Sequence, residues 1–126
     1  MNTEDGRIVL IDDVSFALRR GEVLGLVGES GCGKSVTAQT IMRLLPMPPA
    51  RIERGRIELE GRDLVGLSES GMRALRGDRM AMIFQEPMTS LNPTMTVGRQ
   101  VGEVLTLHRG ASAAEARRTA TAMLDQ

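Results

Sequence analysis

The strongest constraint on this chain is the stretch Gly28-Glu29-Ser30-Gly31-Cys32-Gly33-Lys34-Ser35, a G-x-x-x-x-G-K-S sequence. That spacing is the P-loop pattern, in which backbone N–H groups cradle phosphates. Upstream, Val23-Leu24-Gly25-Leu26-Val27 is a continuous apolar run, as in a strand buried on both faces of a parallel sheet. Downstream, Ala38, Ile41, Met42 and Leu45 recur at helical spacing, which predicts a helix over residues 34–45. The glycines therefore stand between a buried strand and a helix N-terminus, whose N–H groups and dipole favour negative charge. Lys34 is placed to reach the β and γ phosphates, and the Ser35 hydroxyl to hold Mg²⁺. The competing reading is a glycine-rich turn with no ligand, and the filled motif positions with both flanks correct argue against it.

Composition adds one fact about Lys34. It is the only lysine in the chain, against 15 arginines. Acidic and basic residues balance at 16 each, so no electrostatic pull toward nucleic acid is expected. With 126 residues the chain is one domain or part of one. Aromatic residues are limited to Phe16 and Phe84. Cys32 stands alone, which excludes an internal disulfide and fits a reducing compartment. The first six residues, Met1-Asn2-Thr3-Glu4-Asp5-Gly6, are polar and acidic, unlike a secretory signal. No apolar run approaches membrane-spanning length, so a chain soluble by itself is expected.

Taken in order, residues 8–11 and 14–18 are predicted strands, the second alternating with Val14, Phe16 and Leu18 on one face. Pro46, Pro48 and Pro49 close the first helix. Arg56-Ile57-Glu58-Leu59-Glu60-Gly61 alternates, with Arg62 and Asp63 following, and predicts a small exposed antiparallel element. Residues 68–75 suit a short helix, and residues 80–84 another buried strand. After Pro87 and Pro93, a helix carries Val97, Val101, Val104 and Leu105 on one stripe. The last helix opens on Ser112-Ala113-Ala114-Glu115, a capping box, and carries Ala116, Ala120, Met123 and Leu124. His108 is expected to lie exposed near a helix end.

The second informative stretch is Met82-Ile83-Phe84-Gln85-Glu86-Pro87-Met88-Thr89-Ser90-Leu91-Asn92-Pro93. Gln85 directly follows a predicted buried strand, at the sheet edge where ligands bind in open α/β folds. A neutral amide there can ligate a metal and orient water; a lone Gln could equally be a polar residue ending a strand. With the P-loop and the order of elements, this run resembles the nucleotide-binding subunit of ABC transporters, most closely the importers of di- and oligopeptides and of related solutes such as nickel.

The resemblance implies an α/β P-loop NTPase core of parallel strands and helices, with residues 57–61 in a small antiparallel β-subdomain. It implies ATP and Mg²⁺ as cofactors, with Gly28, Glu29, Ser30, Gly31, Cys32, Gly33, Lys34, Ser35 and Val36 around the phosphates. Ser35 and Gln85 would contact the metal, Lys34 and Gln85 would serve catalysis, and the Gln85 loop would face the transmembrane permease subunits. Two nucleotide-binding subunits would pair, peripheral to the inner, cytoplasmic face of the membrane.

Departures accompany the matches. The family's L-S-G-G-Q signature, its acidic strand with the catalytic Glu and its switch His all follow the Gln85 region, and none occurs within these residues. Residues 8–12 imitate that acidic strand but precede the P-loop, and the adenine-stacking aromatic of the family would align near Ile8. The expectation is therefore an N-terminal portion of the domain, from the P-loop to the family's Q-loop, which the resemblance places at Gln85, and the start of the helical subdomain, with the C-terminal half lacking. Such a portion supplies a cradle without the catalytic base, and could be an inactive nucleotide-binding or docking fragment. A different P-loop kinase or GTPase would need other markers, and an N-K-x-D guanine motif is not found.

Overall fold

A computed structural model of the chain describes residues 2–3, 6–85 and 91–125. It divides into two compact units, Met1–Ser68 and Glu69–Gln126.

The first unit opens with two short strands, β1 (Asn2–Thr3) and β2 (Gly6–Arg7), paired antiparallel with Asn2 opposite Arg7. Helix α1 (Lys34–Ile41) follows the glycine loop. Strands β3 (Glu58–Leu59) and β4 (Arg62–Asp63) then form the expected hairpin, with Leu59 opposite Arg62. Its two turn residues, Glu60 and Gly61, have φ of 50° and 79°. Two successive positive φ values are what a tight type I′ connection demands. Leu64, directly after β4, is 1% exposed.

Helix α1 ends four residues short of the predicted limit, and not at a proline. Arg43 takes φ 50°, a left-handed conformation that costs a side-chain-bearing residue about 1–2 kcal/mol. The Arg43 N–H donates to Thr40 O (3.0 Å) and the Leu44 N–H to Gln39 O (2.9 Å). These two bonds complete a Schellman motif, which satisfies carbonyls that a helix end otherwise leaves unpaired.

The predicted strands at residues 8–11, 14–18, 23–27 and 80–84 require correction. None of them lies in a sheet in the structure, and only Met80 joins an isolated parallel bridge, to Arg76. Val23 is 96% exposed, Val27 93% and Ile83 93%. A parallel strand has two faces and two edges to be covered, and here the cover is partial: Leu24 and Leu26 remain 46% and 48% exposed, and only Met80 and Met82 of the last segment are half-buried. Val23, Val27 and Ile83 each forgo roughly 1.5–3 kcal/mol of burial. The parallel sheet of the expected core is therefore not assembled among the described residues.

The second unit is helical. In α2 (Glu69–Leu75), Met72 and Leu75 are buried one helical turn apart. Arg76 reaches back to Glu69, with Nη1 and Oε1 2.6 Å apart. Helix α3 (Val97–Arg109) is capped by Thr96, whose side chain accepts from the Arg99 N–H, and ends at Gly110 with φ 64°. Helix α4 (Ala113–Leu124) begins with the predicted capping box, Ser112 and Glu115 bonding reciprocally. The two helices pack together through Gly102 of α3 and Ala116 of α4, both buried. On the predicted stripe of α4 only Ala116 and Ala120 are buried, while Met123 and Leu124 are 61% and 59% exposed. His108 is half-buried rather than exposed, because it packs against Gly77 in the turn after α2. No helix among the described residues is long and apolar enough to cross a membrane.

Candidate functional site: the glycine loop before α1

The loop is made by positive φ at two points, Gly31 (81°) and Gly33 (98°). Between them the Cys32 N–H turns back to Glu29 O at 3.3 Å. Gly33 then becomes the N-cap of α1 with no side chain capping the helix end. The first N–H groups of a helix have no intrahelical partners, so this end presents donors toward the loop. From the second turn the Thr37 N–H and hydroxyl both donate to Gly33 O, at 2.8 and 2.9 Å. The junction of loop and helix is thereby fixed.

Lys34 folds back into the loop. Its Nζ donates to Gly28 O and Glu29 O, both at 2.7 Å, and approaches Cys32 Sγ at 3.6 Å. An ammonium has three protons, so two serve the strong carbonyl acceptors and the third faces a weak sulfur acceptor. Gly28, Glu29, Ser30, Gly31, Cys32 and Ser35 are exposed, whereas Gly33, Lys34 and Val36 are half-buried. The loop thus offers one fixed cation, an uncapped helix N-terminus and an open face. That donor set suits an anionic group such as a phosphate.

Cys32 does not point away from the loop. A Cβ placed at Gly28 would lie 2.5 Å from Cys32 Sγ, so glycine at 28 is required by the thiol's position. The thiol is free and exposed.

Gln85 lies in the second unit, exposed at a bend after residues 81–84. The P-loop lies wholly in the first. Glu86, Pro87, Met88, Thr89 and Ser90 fall outside the described residues. Further along, Asn92 and Gln100 clasp each other. The Asn92 N–H donates to Gln100 Oε1 at 2.8 Å, and Gln100 Nε2 donates to Asn92 O and Met95 O, each at 3.0 Å. Asn92 Oδ1 also accepts from the Thr94 N–H and hydroxyl at 3.0 and 2.7 Å. Sequence reasoning missed both Gln100 and Arg43, since their partners are backbone N–H and C=O groups that no side-chain pattern marks. Among the described residues no three His, Cys, Asp or Glu side chains gather as a metal site.

A family model described as ABC transporter matches residues 11–126. The chain belongs to the ABC transporter family. It is 53% identical over 123 residues to the oligopeptide transport ATP-binding protein OppD of Bacillus subtilis, covering 98% of this chain and 34% of that protein. It is 50% identical over 122 residues to the dipeptide transport ATP-binding protein DppD of the same organism, covering 97% and 36%. To the peptidoglycan transport ATP-binding protein YejF of Agrobacterium fabrum it is 53% identical over 118 residues, covering 94% and 22%. This ABC transporter chain therefore spans about a third or less of the length of these relatives. The matched region includes the whole glycine loop, α1 and Gln85.

Proposed function

We propose that the chain is the P-loop-to-Q-loop part of an ABC transporter nucleotide-binding domain, and that its glycine loop binds Mg·ATP to drive import of peptides or related solutes. The observation that carries this reading is Lys34, held inside the loop at an uncapped helix N-terminus. The names of the relatives support peptides as the solute class.

In this reading, backbone N–H groups from Gly28 to Val36 surround the phosphates. Lys34 Nζ keeps its carbonyl bonds and turns its third proton from Cys32 Sγ to a phosphate oxygen, the better acceptor. Ser35, exposed at the start of α1, would offer its hydroxyl to Mg²⁺, and Gln85 would complete the metal's contacts. The ion supplies neutralisation of the phosphate oxygens. The contribution of the chain's own residues is positioning and charge, as in P-loop ATPases generally. The exposed residues around Gln85 would face a transmembrane permease subunit, and a second nucleotide-binding subunit would close over the loop. The setting would be the cytoplasmic face of the membrane.

These residues contain no L-S-G-G-Q sequence and no acidic strand after Gln85. The 126-residue chain alone is accordingly expected to bind nucleotide weakly and not to turn it over. Titration with ATP in the presence of Mg²⁺, followed by phosphate release, tests both statements. No binding at millimolar ATP would sink the cradle assignment. Turnover that disappears in Lys34→Ala would reveal a catalytic carboxylate within the chain, with Glu86 the first to examine.

A further inference from the structure

We propose that Arg43 is a positioning residue for the phosphate cradle, tying the far end of α1 to the turn that follows β4. The proposal rests on the reading of the glycine loop as an ATP site.

Helix α1 has eight residues and none of them is buried. A helix of that length is not stable by itself, and apolar packing holds it only weakly: its residues are at most half-buried, and the one buried side chain, Met42, sits at its C-cap. Its N-terminal end carries the loop. At its C-terminal end Arg43 occupies the left-handed position of the Schellman motif, where glycine fits without strain. Stopping the helix therefore does not explain an arginine. Its side chain does. Nη1 donates to Leu64 O at 3.2 Å and to Leu67 O at 2.5 Å, across 21 and 24 residues of chain.

The acceptors are themselves fixed. The Leu67 N–H bonds to Leu64 O at 3.4 Å, closing a turn, and the Leu64 side chain is 1% exposed. The Leu64 N–H is held by Ile57 O at 2.7 Å, beside the hairpin. A guanidinium delivers rigid, directed donors, and here Nη1 directs its own to two carbonyls outside the helix. One cation thus ties a short, weakly packed helix to the hairpin turn, in addition to the buried Met42. Lys34 and the first N–H groups of α1 ride on the helix so tied.

The experiment compares the wild-type chain with Arg43→Gly and Arg43→Lys. Glycine keeps the helix stop and relieves the positive φ, but removes the tether. Lysine keeps a cation with poorer reach and geometry. Hydrogen exchange without nucleotide is expected to rise at residues 34–42 and 64–67 in Arg43→Gly. Affinity for Mg·ATP is expected to fall about tenfold or more, as for loss of one charge-assisted hydrogen bond, with Arg43→Lys in between. Wild-type affinity in Arg43→Gly would overturn the proposal whatever exchange does, and so would unchanged exchange. Failure of the wild-type chain itself to bind Mg·ATP would instead overturn the reading of the loop, and the proposal with it. If Arg43→Gly does not fold, both measurements are made on Arg43→Lys, where wild-type affinity or unchanged exchange would likewise overturn the proposal.

Discussion

Gly102 faces Ala116 with little room to spare: a Cβ at 102 would lie 3.3 Å from both the Cβ and the carbonyl oxygen of Ala116, a contact the neighbour can relieve only by giving a few tenths of an ångström. Glycine inside a helix costs roughly 0.5–1 kcal/mol relative to alanine. Its use at 102 is explained by the close approach of α3 and α4. Gly102→Leu is expected to lower stability by about 1–3 kcal/mol through overpacking, read as a fall in the midpoint of urea unfolding. A midpoint equal to wild type would show that the helices separate freely at this point. Gly102→Ala should be nearly neutral, since helix propensity gained offsets the tight contact.

Lys34→Ala is expected to abolish measurable Mg·ATP binding, because it removes both the cation and the carbonyl bonds that shape the loop. Since Lys34 is the only lysine, an amine reagent has two targets, Lys34 and the N-terminus. Lys34 should label more slowly even without ligand, and ATP should protect it alone. Equal protection of both amines would point to a nonspecific effect.

Gly28→Ala should weaken ATP binding, because the new methyl meets Cys32 Sγ at 2.5 Å. The loop must then open or the thiol must leave its place beside Lys34 Nζ. Adding Cys32→Ala to that variant is expected to restore part of the affinity. Alkylation of Cys32 in the wild-type chain should likewise block ATP, and bound ATP should slow it. Identical alkylation rates with and without Mg·ATP would mean that the thiol stays outside the liganded cradle.

The capping box gives α4 a dependence on acid. Hydrogen bonds from the Ser112 hydroxyl and then the Ser112 N–H lower the pKa of Glu115 below its ordinary value. A carboxylate lowered on folding stabilises the folded state above its unfolded pKa, and the benefit is lost as pH falls through the folded value. The stability difference between wild type and Glu115→Gln should therefore be constant near neutrality and shrink on acidification below the ordinary glutamate range. A difference that stays flat down to about pH 3, below the usual glutamate pKa, would remove the charge from the account of this cap.

Exposed apolar segments should make the chain associate. Val23, Val27 and Ile83 present both side chains and backbone outside any sheet, the condition for edge-to-edge strand pairing. Gel filtration over a range of concentrations should show growing oligomers. A monomer at high concentration would mean that these segments are covered in some other way.

Elements written in local pattern were legible in the sequence. The hairpin at Glu58–Leu59 and Arg62–Asp63, helices α2, α3 and α4, and the Ser112–Glu115 box all depend on residues a few positions apart. The end of α1 was not legible, because an arginine in left-handed conformation carries no sequence mark, whereas Pro46 does. The segments around Val23 and Ile83 were marked as apolar correctly, but burial comes from partners distant in sequence. The loop-then-helix form around Lys34 was legible because its pattern is compressed into one short run, Gly28 to Ser35. Gln100 and Arg43 escaped notice because each bonds to backbone groups that nearly every residue possesses.

The tether from Arg43 to Leu67 also imposes an order in time. Every bond that Lys34 makes spans six residues or fewer, and loops of that size close in on the order of 10–100 ns. The tether must wait for Leu67, 24 residues further along the chain. At synthesis rates of about 5–20 residues per second, that delay is on the order of seconds. A nascent chain should therefore sample the cradle early and fleetingly and hold it more firmly once Leu67 has left the ribosome, so that, on the proposed reading, affinity for ATP rises at a definite chain length.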